Sequence, residues 1–261
     1  MSPRIAFNYH FTPHHTFRVG TSVAYRTPAL METNLPAVQP GELFVMNATA
    51  TSQGIRPERL ISREIGYIGE FVESKTRLDM RIFSDLVTNG IFWSGATSTF
   101  VNLMSAEYQG FEATIKQSFN ENSELTINFA HELASSNGPA LAAAGYGTFR
   151  SAAPWTNDAL SASIPKNSGS LLYSHRLNDA LIFSASYYQQ GMMQPFDRGA
   201  TDVQMMQKRT DMRLAHPFRI RGESKGELAL VIQNLFNRGY TEYVANNLFN
   251  RRGYVTLTLK W

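Results

Sequence analysis

The sequence predicts an all-β fold, an antiparallel up-and-down transmembrane β-barrel of about eleven strands. Three observations carry that prediction. Hydrophobicity alternates with a period of two from end to end, short polar turns alternate with long loops, and charges sit mid-strand on the polar face. No run approaches the roughly 18 consecutive apolar residues of a membrane helix.

The last strand shows the alternation best. Val255, Leu257, Leu259 and Trp261 share one face, while Tyr254, Thr256, Thr258 and Lys260 share the other. A sheet with one apolar and one polar face produces this pattern. Upstream, Phe17, Val19 and Val23 alternate with Arg18, Gly20 and Ser22. Leu78, Met80 and Ile82 alternate with Asp79 and Arg81, and Phe111, Ala113 and Ile115 with Glu112, Thr114 and Lys116. Leu125, Ile127 and Phe129 alternate with Thr126 and Asn128, and Met212 and Leu214 with Asp211 and Arg213. A water-filled lumen tolerates such mid-strand charges when lipid covers the other face.

The strands are expected near 4–11, 16–26, 62–72, 76–91, 106–118, 123–133, 168–177, 180–190, 206–219, 226–236 and 252–261. Polar turns near residues 12–15, 73–75, 120–123, 178–179 and 222–226 join them at one end. The other end carries the long segments 27–56, 94–101, 134–167, 191–204 and 237–250. Tight turns on one side and long loops on the other describe a barrel with periplasmic turns and extracellular loops.

Hydrophobic residues make up 43% of the 261 and charged residues 17%, too few charges for a disordered chain. The net charge of +3 is spread along the chain, without the basic cluster that nucleic acid requires, so no nucleic-acid partner is expected. There is no cysteine, which excludes disulfides, thiolate metal sites and thiol nucleophiles. Residues 1–10 hold no apolar core of a signal peptide, although a barrel of this kind must be exported. An odd number of up-and-down strands also begins and ends on opposite sides of the membrane. Both points lead to the expectation that the chain is a portion of a longer protein.

Five segments resemble the C-terminal barrel of TonB-dependent outer-membrane receptors, in family order across nearly the whole chain. They are Ala24-Tyr25-Arg26-Thr27-Pro28 with Leu30 and Glu32; Ile55-Arg56-Pro57-Glu58 with Ser62, Glu64 and Gly66; and Ala106-Glu107-Tyr108-Gln109-Gly110-Phe111-Glu112. Asn234-Leu235-Phe236-Asn237-Arg238-Gly239-Tyr240 and the ending at Trp261, where the family more often has Phe, complete the series. The resemblance implies that residues 1–261 are the second half of a barrel of about 22 strands, lacking the plug domain and the N-terminal barrel half. It implies a place in the outer membrane of a Gram-negative bacterium. The implied activity is TonB-dependent import of a metal chelate such as a ferric siderophore, by a full-length receptor. The implied partners are the chelate, the TonB energy-coupling system acting through the missing plug, outer-membrane lipid, and the barrel assembly machinery, which would engage the strand ending at Trp261. An isolated half-barrel is expected to be inactive.

The resemblance also implies that aromatic and arginine side chains of the loops and upper wall hold an anionic chelate. Candidates are Arg26, Trp93, Tyr146, Trp155, Arg198, Tyr243 and Arg251. Arginine suits anions by geometry and fixed charge; the same aromatics would equally serve as a girdle packing loop against loop. His10, His14 and His15 lack a carboxylate at ligand spacing and read as a polar turn rather than a metal site. Glu64, Glu70, Asp79 and Asp85, with Arg63, Arg77 and Arg81 nearby, read as a lumenal charge network rather than acid–base machinery. No phosphate loop or serine-nucleophile motif is present, so neither catalysis nor a cofactor is expected. A barrel phospholipase or protease of ten to twelve strands, or a passive pore of two half-barrels, are the competing readings.

Overall fold

The computed structural model describes residues 1–33, 54–94, 99–136, 157–194, 203–220, 225–242 and 247–260. Eleven strands form one antiparallel sheet: β1 (Arg4–Thr12), β2 (His15–Arg26), β3 (Glu58–Phe71), β4 (Thr76–Ser94), β5 (Thr99–Asn120), β6 (Ser123–Ser136), β7 (Asn167–Asn178), β8 (Leu181–Gln190), β9 (Gln207–Arg219), β10 (Lys225–Gln233) and β13 (Arg252–Lys260). Each pairs with its neighbours in sequence, in the order β1 through β10 and then β13. The two-residue strands β11 (Tyr240–Thr241) and β12 (Leu248–Phe249) form a separate ladder, and short helices α1 (Leu30–Thr33) and α2 (Asn157–Ala162) lie between strands.

Register fixes the two faces, because successive side chains alternate and partners across a ladder share a side. Val255, Leu230, Leu214 and Phe183 form one row across four strands. Leu257 stands opposite Leu228 on the same face, with Met212 opposite Ile232. Thr256, Thr258, Asp211 and Arg213 lie on the other face, as do Glu112 and Lys116 when the pairing is followed through β5 to β9. The apolar face is open rather than packed. Ile5 is 72% exposed, Ile65 60% and Leu257 61%, as expected of a surface that meets lipid rather than a second sheet.

At the short-turn end this face carries an aromatic cluster. Phe11 stacks on Phe17 at 5.2 Å, Phe17 lies 5.3 Å from Tyr67, and His15 meets Phe71 edge-on at 5.2 Å. Toward the loop end one row on this face is polar, Thr21–Arg63–Ser84–Gln109, and the next returns to apolar Val23, Ile61 and Leu86. From Ile61 to Phe71 is ten residues, about 33 Å of strand, or about 25 Å of height at a tilt of about 40°. That matches the apolar band of a transmembrane barrel.

The turns follow local chemistry. Asn120 Oδ1 accepts from the Asn122 N–H at 2.8 Å, and Asn178 Oδ1 from the Ala180 N–H at 2.9 Å. These side chains mimic backbone turns. Lys75 takes φ 52° in the β3–β4 turn.

Several sequence-based boundaries move. β3 begins at Glu58 rather than 62, since Arg59 interrupts the alternation yet pairs with Tyr25 and Thr88. β4 and β5 run to Ser94 and from Thr99, so both ends of the expected loop over 94–101 are strand. A bulge between Val87 and Ile91 keeps this extension paired, with Asn89 at φ 57°. Asn102 Nδ2 donates to the Asn89 carbonyl at 2.6 Å there. β10 ends at Gln233 instead of 236, because Asn234 takes φ 54° and leaves the strand.

Candidate functional site

The polar face is held by charge ladders. Glu64 lies 3.5 Å from both Arg18 and Arg81, and Arg81 Nε donates to Glu112 at 2.6 Å. Lys116 meets Glu124 at 3.0 Å, and Arg213 meets Glu227. Glu70 pairs weakly with Arg77 at 3.9 Å. The expected network therefore forms around Glu64, Glu70, Arg77 and Arg81. Arg63 does not join it. Its parity in β3 is opposite to that of Glu64, which puts it on the apolar face beside Thr21 and Ser84. Glu64 is 16% exposed and serves two arginines. Glu64→Ala is expected to cost the full-length barrel about 1–3 kcal/mol in denaturant titration, because Arg18 loses its carboxylate and Arg81 is left with Glu112 alone. Arg77→Ala, in a pair more than half exposed on both sides, should change stability by about 0.5 kcal/mol or less.

A second row crosses β5 to β9 on the polar face: Thr114, Asn128, Ser170, Tyr188, Arg209. Thr114 donates to Asn128 Oδ1 at 2.9 Å, and Asn128 Nδ2 to Ser170 Oγ at 3.1 Å. The Arg209 guanidinium lies over the Tyr188 ring at 4.7 Å, donates to the Tyr240 hydroxyl at 3.1 Å and stands 3.1 Å from Asp211. Thr114, Asn128, Ser170, Tyr188, Arg209 and Tyr240, with Gln190 and Gln207, line a pocket of about 560 Å³. Its lining combines amides and hydroxyls with one held cation and the carboxylates of Glu112 and Glu242, the chemistry of a hydrated wall that a polar ligand can touch.

The segment from Asn234 to Tyr240 carries Tyr240 to one side of this pocket. Asn234 is buried; its N–H donates to Asp211 Oδ1 at 2.9 Å, and its side chain closes the turn on Arg238 through bonds of 2.8 and 3.1 Å. Asn237 Oδ1 accepts from the Arg251 N–H at 2.8 Å. Tyr240 stacks on Phe249 at 5.4 Å.

Of the expected chelate contacts, Arg26 is fully engaged. Its Nε donates to Glu58 at 2.5 Å and its Nη1 to Glu32 at 3.0 Å. Glu32 also accepts from the Ala29 N–H at 2.6 Å, which starts α1, and Glu58 from the Ile91 N–H at 2.8 Å. Segments 24–32 and 55–66, which read as separate motifs, thus meet in one cluster. It lies at the loop end of β2 and β3, three residues beyond Val23 and Ile61 and outside the apolar band. There the Arg26 hydrogen bond holds the Glu58 carboxyl below the usual carboxylate range, aided by the Ile91 N–H. Arg251 stands exposed, with Nη1 3.5 Å from the Leu235 carbonyl oxygen. The Trp93 backbone pairs with Phe100. Tyr146, Trp155, Arg198 and Tyr243 lie outside the described residues. Tyr188 and Arg209 carry no motif in the sequence; Tyr240 enters only as the end of the Asn234 segment.

The histidines are absorbed singly. His10 bonds Thr16 at 2.8 Å, His15 bonds the Tyr67 hydroxyl at 2.8 Å, and His14 stands 3.8 Å from Glu70.

An eleven-stranded meander with one lipid-compatible face, one polar face and its long connections at one end defines an outer-membrane-type barrel wall. The model of the family described as "TonB dependent receptor-like, beta-barrel" matches residues 1–235. The chain belongs to that family, whose members are receptors and not enzymes. No curated protein matches significantly by sequence. Among solved structures, the ferric-catecholate import receptor Fiu of E. coli K12 matches with TM-score 0.68 and 15% identity, over 97% of this chain and 34% of that one. The ferric enterobactin receptor PfeA of Pseudomonas aeruginosa matches with TM-score 0.70 and 14% identity, over 98% and 39%. The copper transporter OprC matches with TM-score 0.67 and 15% identity, over 98% and 38%. At these identities the likeness is one of fold, and the chain spans little more than a third of each solved chain's length.

Proposed function

We propose that this chain is part of the barrel wall of a TonB-dependent receptor in the outer membrane of a Gram-negative bacterium, and that the receptor imports a metal chelate, a ferric siderophore by class. The observation that carries this is the family match over residues 1–235, on a sheet whose two faces separate lipid-compatible from polar chemistry. Fiu and PfeA, named as iron-chelate receptors, support the siderophore assignment; OprC marks copper as the competing cargo. In this proposal residues 1–261 are the second half of the barrel. An upstream half and plug complete the ring and reach TonB, and the assembly machinery engages the last strand. Within the described residues β1 and β13 do not pair with each other, and in hydrocarbon each unmet backbone group costs several kcal/mol, which supports a completing half.

The chelate would meet Trp93, Tyr146, Trp155, Arg198, Tyr243 and Arg251 at the loop end, then the pocket around Tyr188 and Arg209. Arg26, neutralised by two carboxylates, would brace the loop bases instead. The test is growth of a receptor-deleted host on a ferric siderophore as sole iron source. Growth is expected with the full-length receptor, lost when the inner-membrane energy supply is uncoupled, and absent with an exported form of the 261 residues alone. Energy-independent growth on those residues alone refutes this reading and supports a passive pore.

A further inference from the structure

The β4–β5 hairpin outruns the sheet that supports it. The β3 ladder to β4 stops at Arg59 and Thr88, and the β6 ladder to β5 at Ser136 and Ala106. Beyond them β4 and β5 go on pairing only with each other, from Ile91–Asn102 to Ser94–Thr99, about 10 Å of strand past a bulge. Two strands alone are marginal in water, so this tip needs a tie to stay in one place. Asn102 supplies it. Its Oδ1 accepts from the Arg56 N–H at 2.7 Å, and its Nδ2 donates to the Arg56 carbonyl at 2.9 Å and the Asn89 carbonyl at 2.6 Å. With Arg56 the amide makes the two-bond rung of an antiparallel pair, at a residue just outside β3. Both amide protons are used, on carbonyls of two different segments. Beside it Glu58 accepts from the Ile91 N–H at 2.8 Å and from Arg26 Nε at 2.5 Å. Side chains therefore tie the end of the long segment 27–56 to the base of the hairpin, where no ladder between the two is present among the described residues.

We propose that Asn102 is a positioning residue for cargo capture: by bridging Arg56 and Asn89 it holds the β4–β5 hairpin, with Trp93 near its tip, in the place where a chelate is met. This rests on the reading that the loop end receives the chelate. Asn102 itself touches no cargo. It acts by preorganisation, since a hairpin already held in place need not be ordered when cargo binds. Without the tie the hairpin pivots at the bulge, where Asn89 at φ 57° already interrupts the ladder. The wall below keeps its own pairing, so the barrel persists while the tip wanders.

The test uses the full-length receptor in a receptor-deleted host, with radioiron-labelled ferric enterobactin and ferrioxamine B as probes and uptake normalised to receptor at the cell surface. Asn102→Ala is expected to raise the half-saturating concentration of the imported probe about tenfold and to leave the saturating rate unchanged. Asn102→Asp keeps the shape and the acceptor for the Arg56 N–H but offers the two carbonyls no donor, and should raise it at least as much. Spin labels on Arg63→Cys and Ser94→Cys, in a stretch that has no cysteine of its own, report where the hairpin stands. One narrow distance is expected with Asn102 in place and a broad distribution in both variants. An unchanged half-saturating concentration, or an unchanged distance distribution, overturns the proposal. So does a fall in surface receptor or saturating rate alone, which marks Asn102 as a purely structural residue. Uptake of neither probe by the wild type sinks the siderophore reading instead, and the label distances then decide whether Asn102 holds the hairpin.

Discussion

Leu230→Arg is expected to destabilise the full-length barrel by about 2–4 kcal/mol, whereas Thr258→Arg should cost about 1 kcal/mol or less. The two positions lie on neighbouring strands but on opposite faces. Leu230 stands in an unbroken apolar row with Val255, Leu214 and Phe183, so a guanidinium there has no polar neighbour and must be solvated by hydrocarbon. Thr258 stands opposite Glu227, which already receives Arg213. An arginine at that position meets a carboxylate and water. Urea titration of both variants, refolded into phospholipid vesicles, measures the difference. Equal costs would refute the assignment of the faces.

Asn234→Ala is expected to lower stability by about 2–3 kcal/mol. The substitution removes two side-chain hydrogen bonds to Arg238, each contributing about 0.5–1.5 kcal/mol. It also places alanine at φ 54°, a left-handed conformation that asparagine tolerates better, for roughly a further 1 kcal/mol. The residue is 2% exposed, so water replaces neither bond. Asn234→Gly, which removes the bonds but relieves the backbone, should recover about 1 kcal/mol of the loss. Titration of the three proteins side by side checks both numbers. If alanine and glycine variants are alike, the φ argument fails. Because Tyr240 and Arg209 meet beside this turn, the transport proposed for a full-length receptor should fall with it.

What the sequence discloses and what it hides follow one physical line. Alternation is legible because a two-residue period separates chemistries as unlike as Leu257 and Thr258. Eleven strands emerge from that contrast alone, with the turn chemistry of Asn120 and Asn178 marking the joints. Parity is hidden where a charge sits on the apolar side. Arg63 and Arg81 look alike in sequence, and only the ladder opposite Thr21 and Ser84 separates them. The extension of β4 and β5 is hidden because Ser94 and Thr99 carry loop-like composition; an asparagine amide at the bulge, not hydrophobicity, supports that pairing. The Arg26 cluster joins carboxylates 6 and 32 residues away, a distance no local pattern spans. The chelate contacts proposed for the loops are legible only as residue types.

The meander has a kinetic consequence. Every pairing in the main sheet joins consecutive strands of that sheet, with only the β11–β12 ladder intervening before β13, so no crossover must be threaded before a ladder can close. Contacts of this kind are the ones a chain finds early. Lengthening a connection adds little, since each doubling of a loop costs only about 0.6 kcal/mol in closure entropy. Long segments such as 34–53 can therefore vary freely between strands without slowing the zipper that the tight turns begin. Selection for a new cargo can act on the loops while the order of assembly stays fixed.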